Sequence, residues 1–207
     1  MRARPTDAAS TRELVVATRN EHKLRELQTL LGTHRLIPLP PEIELPPETG
    51  ATFAQNARVK AVVAAEATGL AALADDSGIE AAALGGAPGV RSARFAGDGA
   101  SDEENLAKLL REVPVDGDRR VAYVCALVHA VPGGPAATFE ARCEGTLARA
   151  PRGSGGFGYD PAFLPLDTGD GRTMAELSER EKDEISHRGR AARKLSAWLA
   201  AGAPAAP

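Results

Sequence analysis

Residues 14–31 read LVVATRNEHKLRELQTLL, a β-branched run, a polar turn and a leucine stripe in that order. Valines are stiff at χ1 and pack well on a pleated surface, so residues 14–18 predict a strand. Leu24, Leu27, Leu30 and Leu31 recur at helical spacing and give the following segment one apolar face. A strand that enters a helix through a short turn leaves backbone N–H groups unpaired at the positive end of the helix dipole, where an anion is favoured. Thr18, Asn20 and Lys23 occupy that turn, so phosphate binding is the functional reading. The plain alternative makes Asn20 a helix cap and Lys23 a solvated charge. No G-x-x-x-x-G-K-[ST] occurs, which excludes a Walker-type loop.

Downstream, PLPPEIELPPETG at 38–50 is too rigid and too poor in donors for a helix interior and reads as an extended connection. Thr52 and Gln55 stand at capping-box spacing, Gly69 closes the helix they open, and Val59, Val62 and Val63 lie on a common side of it. Asn56 and Lys60, four apart, share a face, read either as solvent-exposed or as bringing a second lysine to a phosphate. ADDSG at 74–78 falls at the expected end of a strand. Neighbouring strand residues point to opposite sides, so at most one of Asp75 and Asp76 faces a given site. A turn in which Asp and Ser satisfy backbone donors explains the tetrad too. Together with Glu48, however, the pair supplies hard oxygen ligands for Mg²⁺.

Ser101 and Glu104 open a helix with Leu106, Leu109 and Leu110 as its stripe, and residues 119–131 and 137–150 read as two strands joined through PGGP. GSGGFGYDP follows at 153–161. Its glycines suit a tight turn, but two rings within three residues, in a chain of five Phe, two Tyr and one Trp, point to stacking on a flat, base-sized ligand. SERE at 178–181 is another capping box, and Ser186 starts a last helix with Ala191, Ala192, Leu195, Trp198 and Leu199 on one face. Lys182, His187 and Arg188 lie around the break between these helices, as solvated charges or as readers of base carbonyls and ring nitrogens.

This mixture predicts an α/β fold with a central mixed sheet flanked by helices. The 207 residues suit one domain with a cleft, over 14–200, with a loose extension at 1–13 and a flexible tail at 201–207. A net charge of −3 from 25 basic and 28 acidic residues leaves no basic footprint for nucleic acid. No apolar run approaches the roughly 20 residues needed to span a bilayer, and residues 1–13 lack the apolar core of a secretory signal. A soluble, cytoplasmic protein with no membrane partner is expected. Cys125 and Cys143 sit in expected strands without zinc-site spacing and read as buried free thiols.

TRNEHK, ETGATFAQNARVKA, ADDSGIEAAALGGAPGVRSARFAG, GSGGFGYDP and EISHRG stand in an order that resembles the inosine/xanthosine triphosphate pyrophosphatase family, from about Leu14 to Leu199. The resemblance implies two lobes with a substrate cleft between them, a homodimer, Mg²⁺ dependence, and hydrolysis of deaminated purine nucleoside triphosphates (ITP, dITP, XTP) to a monophosphate and pyrophosphate. Carried over by position, Thr18, Arg19, Asn20, Glu21, His22 and Lys23 form the phosphate loop, Asp76 is the catalytic acid-base and metal residue, and Ser77 is a substrate contact. Glu48 is the second metal-associated carboxylate and Lys60 a supporting phosphate contact. Phe157, Gly158, Tyr159 and Asp160 form the base pocket, completed by Lys182, His187 and Arg188. Many members carry glycine where this chain has Arg19 and His22. The alternatives are a related pyrophosphatase for other nucleotides and a nucleotide-binding regulatory module without turnover.

Overall fold

The computed structural model describes residues 13–202; the expectations for residues 1–12 and 203–207 lie outside them. In chain order the elements are β1 (Glu13–Val16), α1 (Glu21–Leu30), β2 (Arg35–Pro38), α2 (Phe53–Thr68), β3 (Ala72–Ala81), α3 (Asp102–Glu112), β4 (Arg120–Ala130), β5 (Ala136–Leu147), β6 (Phe163–Pro165), α4 (Glu179–Ile185) and α5 (His187–Ala200). The strands form one mixed sheet in the order β2-β1-β3-β4-β5-β6. β1 runs parallel to β2 and β3, and every other pairing is antiparallel. The α/β class with a helix-flanked mixed sheet is therefore as the sequence predicts. Among the described residues no helix is long and apolar enough to cross a membrane.

Each face of the sheet carries its own helices. On one, Val15, Ala72, Ala74, Val124, Ala126 and Val128 meet Ala57, Ala61, Ala64 and Ala65 of α2. On the other, Leu14, Val16, Leu73, Cys125 and Leu127 meet Leu27 of α1 and Leu195 and Leu199 of α5. The inward face of α2 is thus an alanine stripe, whose small side chains let helix and sheet approach closely. Val59 and Val62 point outward, 49% and 36% exposed, so the valine side is not the core side. Asn56 and Lys60 lie on the buried face, which removes the solvent-exposed reading of both.

Two further details position the site. β3 does not end at ADDSG but pairs with β4 over ten positions, from Ala72↔Ala130 to Ala81↔Val121, so both aspartates sit inside a strand on opposite faces. Gly78 follows them, and a Cβ there would strike the Ser92 hydroxyl and the Gly89 carbonyl. A glycine inside a strand marks such close approach, here of the short helical turn Gly89–Arg94. The brief edge strands β2 and β6 were not expected.

Candidate active site

A cavity of about 460 Å³ collects residues from the β1–α1 turn, the 45–48 segment, α2, β3, the 90–94 turn, the 157–160 loop and the α4–α5 junction. Its volume is that of ordinary small-molecule sites. At one end the turn after β1 is capped as its sequence implies: Asn20 Oδ1 accepts from the His22 and Lys23 amides at 2.9 and 3.1 Å. Those two amides are therefore already bonded, which leaves the Lys23 ammonium as the turn's principal handle on an anion. It reaches Asp75 Oδ1 at 2.5 Å.

Beside it, Lys60 Nζ lies 2.5 Å from Glu48 Oε1, 2.9 Å from the Asp75 carbonyl oxygen and 3.8 Å from Asp76 Oδ1. Asn56 donates to Asp76 Oδ2 at 3.0 Å and accepts from the Gly50 amide at 2.8 Å, tying α2, β3 and the proline-rich segment together. Arg94 approaches Glu48 from the far side, 3.6 Å from Oε2. Two carboxylates, Glu48 and Asp76, thus converge on Lys60 Nζ, with Arg94 a second cation on Glu48.

At the other end Asp160 accepts from the Tyr123 hydroxyl at 2.9 Å, the Phe157 amide at 3.0 Å and Lys182 Nζ at 2.7 Å. Its carboxylate lies where a Cβ of Gly156 would fall, so that glycine, at φ +69°, lets the loop close on Asp160. Lys182 also meets Glu26 at 2.7 Å, and its ammonium stands 4.9 Å from the centre of the Phe157 ring. Arg188, 1% exposed, pairs with Asp75, Glu26 and the Ser77 hydroxyl. His187 stacks on Tyr123 with ring centres 4.6 Å apart, and its Nδ1 is buried without a hydrogen-bond partner.

Residues 14–198 match the Ham1 family, nearly the whole described chain. The chain belongs to the Ham1 family. It is 50% identical over 190 residues to a dITP/XTP pyrophosphatase of Syntrophobacter fumaroxidans, covering 88% of this chain and 79% of that one. It is 47% identical over 194 residues to a dITP/XTP pyrophosphatase of Geobacillus kaustophilus, covering 89% and 92%. A solved Ham1 protein from Coxiella burnetii superposes with a TM-score of 0.82 at 43% identity, covering 91% and 98%.

The two adjacent aspartates of this Ham1 site have opposite electrostatics. Burial raises the Asp76 carboxyl to about 6, with Glu48 adding to the rise against the opposing pull of Lys60. Burial alone would raise Asp75 too, but Arg188 and Lys23 outweigh it and hold that group well below the usual range. Burial likewise opposes ionisation of Glu48, yet Lys60 leaves it lowered. His187 is held well below its ordinary value by burial and by Arg188, and so is neutral. Asp76 can exchange a proton near neutrality; Asp75 is a fixed anion.

Several expected roles shift. The Arg19 guanidinium is not turned toward a ligand: it donates to the carbonyls of Leu39, Pro40, Pro41 and Ile43 at 2.9, 2.8, 3.3 and 2.7 Å. Glu21 and His22 do not line the cavity; His22 stacks on Phe157 with ring centres 5.1 Å apart. Tyr159 lines the cavity but is 5% exposed, packed in the core with its hydroxyl donating to Ser92 O at 2.7 Å, so Phe157 is the ring left to stack. The remaining expected contacts, Thr18, Asn20, Lys23, Glu48, Lys60, Asp76, Ser77, Phe157, Gly158, Asp160, Lys182, His187 and Arg188, all line the one cavity. Sequence reasoning overlooked Glu26 and Arg94. Glu26 lies one helical turn after Lys23, and that spacing was the available signal.

Proposed function

We infer that this Ham1-family chain hydrolyses deaminated purine nucleoside triphosphates, ITP, dITP and XTP, to the monophosphate and pyrophosphate. The observation that carries the reading is one cavity with a buried carboxylate of raised pKa beside Lys60, with Lys23, at one end and the Phe157 ring with Lys182, Arg188 and neutral His187 at the other. The relatives' name, dITP/XTP pyrophosphatase, supplies the substrate class. Asp76 takes a proton from water as its oxygen bonds to the α phosphorus and the α–β bridging bond breaks, releasing pyrophosphate. Lys23 and Lys60 offset the charge on the phosphate oxygens.

Mg²⁺ is the proposed cofactor. Among the described residues no group of three or more His, Cys, Asp or Glu side chains converges on a point. Mg²⁺ nevertheless needs only one or two carboxylates when substrate phosphates complete its shell. Glu48 and Asp76, both facing Lys60 Nζ, fit that requirement. When bound there, the ion supplies further neutralisation of phosphate charge. Two lobes closing on the cleft, a homodimer and a cytoplasmic setting belong to the same proposal.

At the base end, Lys182 and Arg188 are donors, and neutral His187 offers one donor and one acceptor. Donors suit a 6-oxo group and oppose adenine's 6-amino group, a mismatch that leaves buried groups unpaired. Incubation with ITP and Mg²⁺, followed by ³¹P NMR, should give inosine monophosphate and pyrophosphate. Orthophosphate with inosine diphosphate would overturn the bond assignment, and equal kcat/KM for ITP and ATP would overturn the substrate class.

A further inference from the structure

The Asp75 side chain is wholly buried and lies on the sheet face away from Asp76. Its Oδ1 accepts from Lys23 at 2.5 Å, Ser77 Oγ at 3.0 Å and Arg188 Nη2 at 3.3 Å; its Oδ2 accepts from Arg188 Nε at 3.0 Å and Cys125 Sγ at 3.1 Å. Both oxygens are saturated, so this carboxylate has no means of touching a ligand. Its two cations meet on Oδ1 but come from different parts of the cavity wall: Lys23 from the phosphate turn and Arg188 from the α4–α5 junction. Arg188 in turn uses four of its five N–H groups on Asp75, Ser77 and Glu26, leaving one Nη1 hydrogen for a ligand.

We propose that Asp75 is a shared counter-ion that couples the two ends of the site, a positioning residue through which base-side Arg188 sets the affinity for phosphate. The proposal rests on Lys23 being a triphosphate contact. When phosphate draws the Lys23 ammonium away, Asp75 loses one cation. With Arg188 in place it keeps a bidentate partner and the step is cheap. Without Arg188 the same step leaves a buried carboxylate with no cation, a strongly unfavourable state. Phosphate affinity therefore depends on a residue that does not touch phosphate.

The probe is inorganic pyrophosphate, which lacks a base, measured as a competitive inhibitor of ITP hydrolysis. In Arg188→Met its inhibition constant should rise about tenfold, within the roughly 5–150-fold span of ordinary site-to-site coupling. Lys182→Met removes the same charge from the same end but contacts Glu26 and Asp160 rather than Asp75, and should raise it less than about threefold. In an Asp75→Asn background the Arg188→Met effect should vanish. Equal effects of Arg188→Met and Lys182→Met would reduce the coupling to bulk charge and overturn it, as would a full Arg188→Met effect in the Asp75→Asn background. If Asp75→Asn does not fold, the comparison of the two methionine variants decides alone. Hydrolysis of ITP by a wild type that pyrophosphate does not inhibit would instead remove Lys23 as a phosphate contact, and the proposal with it.

Discussion

Asp75 and Asp76 are adjacent in one strand, both buried, and opposite in behaviour. Asp75 faces α1 and α5, where Lys23 and Arg188 fix it as an anion. Asp76 faces α2, where a neutral amide touches it at 3.0 Å and the nearest ammonium, 3.8 Å away, is already shared with Glu48. What separates the two is the supply of unshared cations, since burial pushes both carboxyls upward. Asp76 is left under-neutralised, as the proposed proton transfer needs, while Asp75 is saturated by lysine and arginine.

The sharpest way to break this comparison is Asp76→Asn, which should lower kcat about 10³- to 10⁴-fold in a steady-state assay, the scale of a lost general base. Normal activity in that variant would move the chemistry elsewhere. Asp75→Asn should act first on folding, costing about 3 kcal/mol in urea denaturation at pH 7, because it removes the charge that faces buried Arg188 and half-buried Lys23. A loss below about 1 kcal/mol, the scale of an exposed pair, would mean that Lys23 and Arg188 do not need it.

Dependence on pH separates the pair further. The folded Asp76 value of about 6 lies above the unfolded value near 3.9, so stability is fully present below pH 4 and declines as the pH rises through 6. Asp76→Asn should therefore be more stable than wild type at pH 7, by about 3 kcal/mol, with the gain disappearing by pH 4. For Asp75, lowered in the folded state, the sign reverses: its contribution is present above pH 4 and is lost as the pH falls further. Thermal unfolding across pH 2–8 should show Asp76→Asn rising above wild type as the pH climbs from 4 to 7, and Asp75→Asn, less stable by a constant margin above pH 4, closing on wild type as the pH falls below 4. The smallest effect concerns Arg19→Ala, which frees the segment leading to Glu48. A fall of about tenfold in kcat/KM is expected from a modest displacement of that carboxylate. No change would show that the Glu48 position does not depend on Arg19.

Much of this was legible before any coordinates. The capping boxes at Ser101 and Ser178 and the Thr52 cap are local chemistry and occur where the sequence puts them. β4 carries a long apolar run and β5 an alternation of buried and exposed positions, and both are equally plain. The buried side of α2 was not, because hydrophobicity ranks valine above alanine while close packing on a sheet selects the smaller residue. Nor could sequence assign Asp75 and Asp76 to their faces: period two separates them, but only the register against β4 tells which side meets α2. β2, four residues at a sheet edge ending in proline, has too little pattern to register. Phe157 and Tyr159 looked equivalent, yet the Ser92 carbonyl holds the tyrosine in the core.

The Arg19 bonds carry one more consequence. Pro38, Pro40, Pro41, Pro46 and Pro47 have no amide hydrogen, so their segment holds more carbonyls than it can satisfy within itself. One guanidinium, planar and rich in donors, gathers four of those oxygens and does for irregular chain what a neighbouring strand does for a sheet edge. Lysine carries the same charge but only three donors on a single atom, with no fork to spread among oxygens several residues apart. At this position charge is incidental, and what holds the segment is donor geometry.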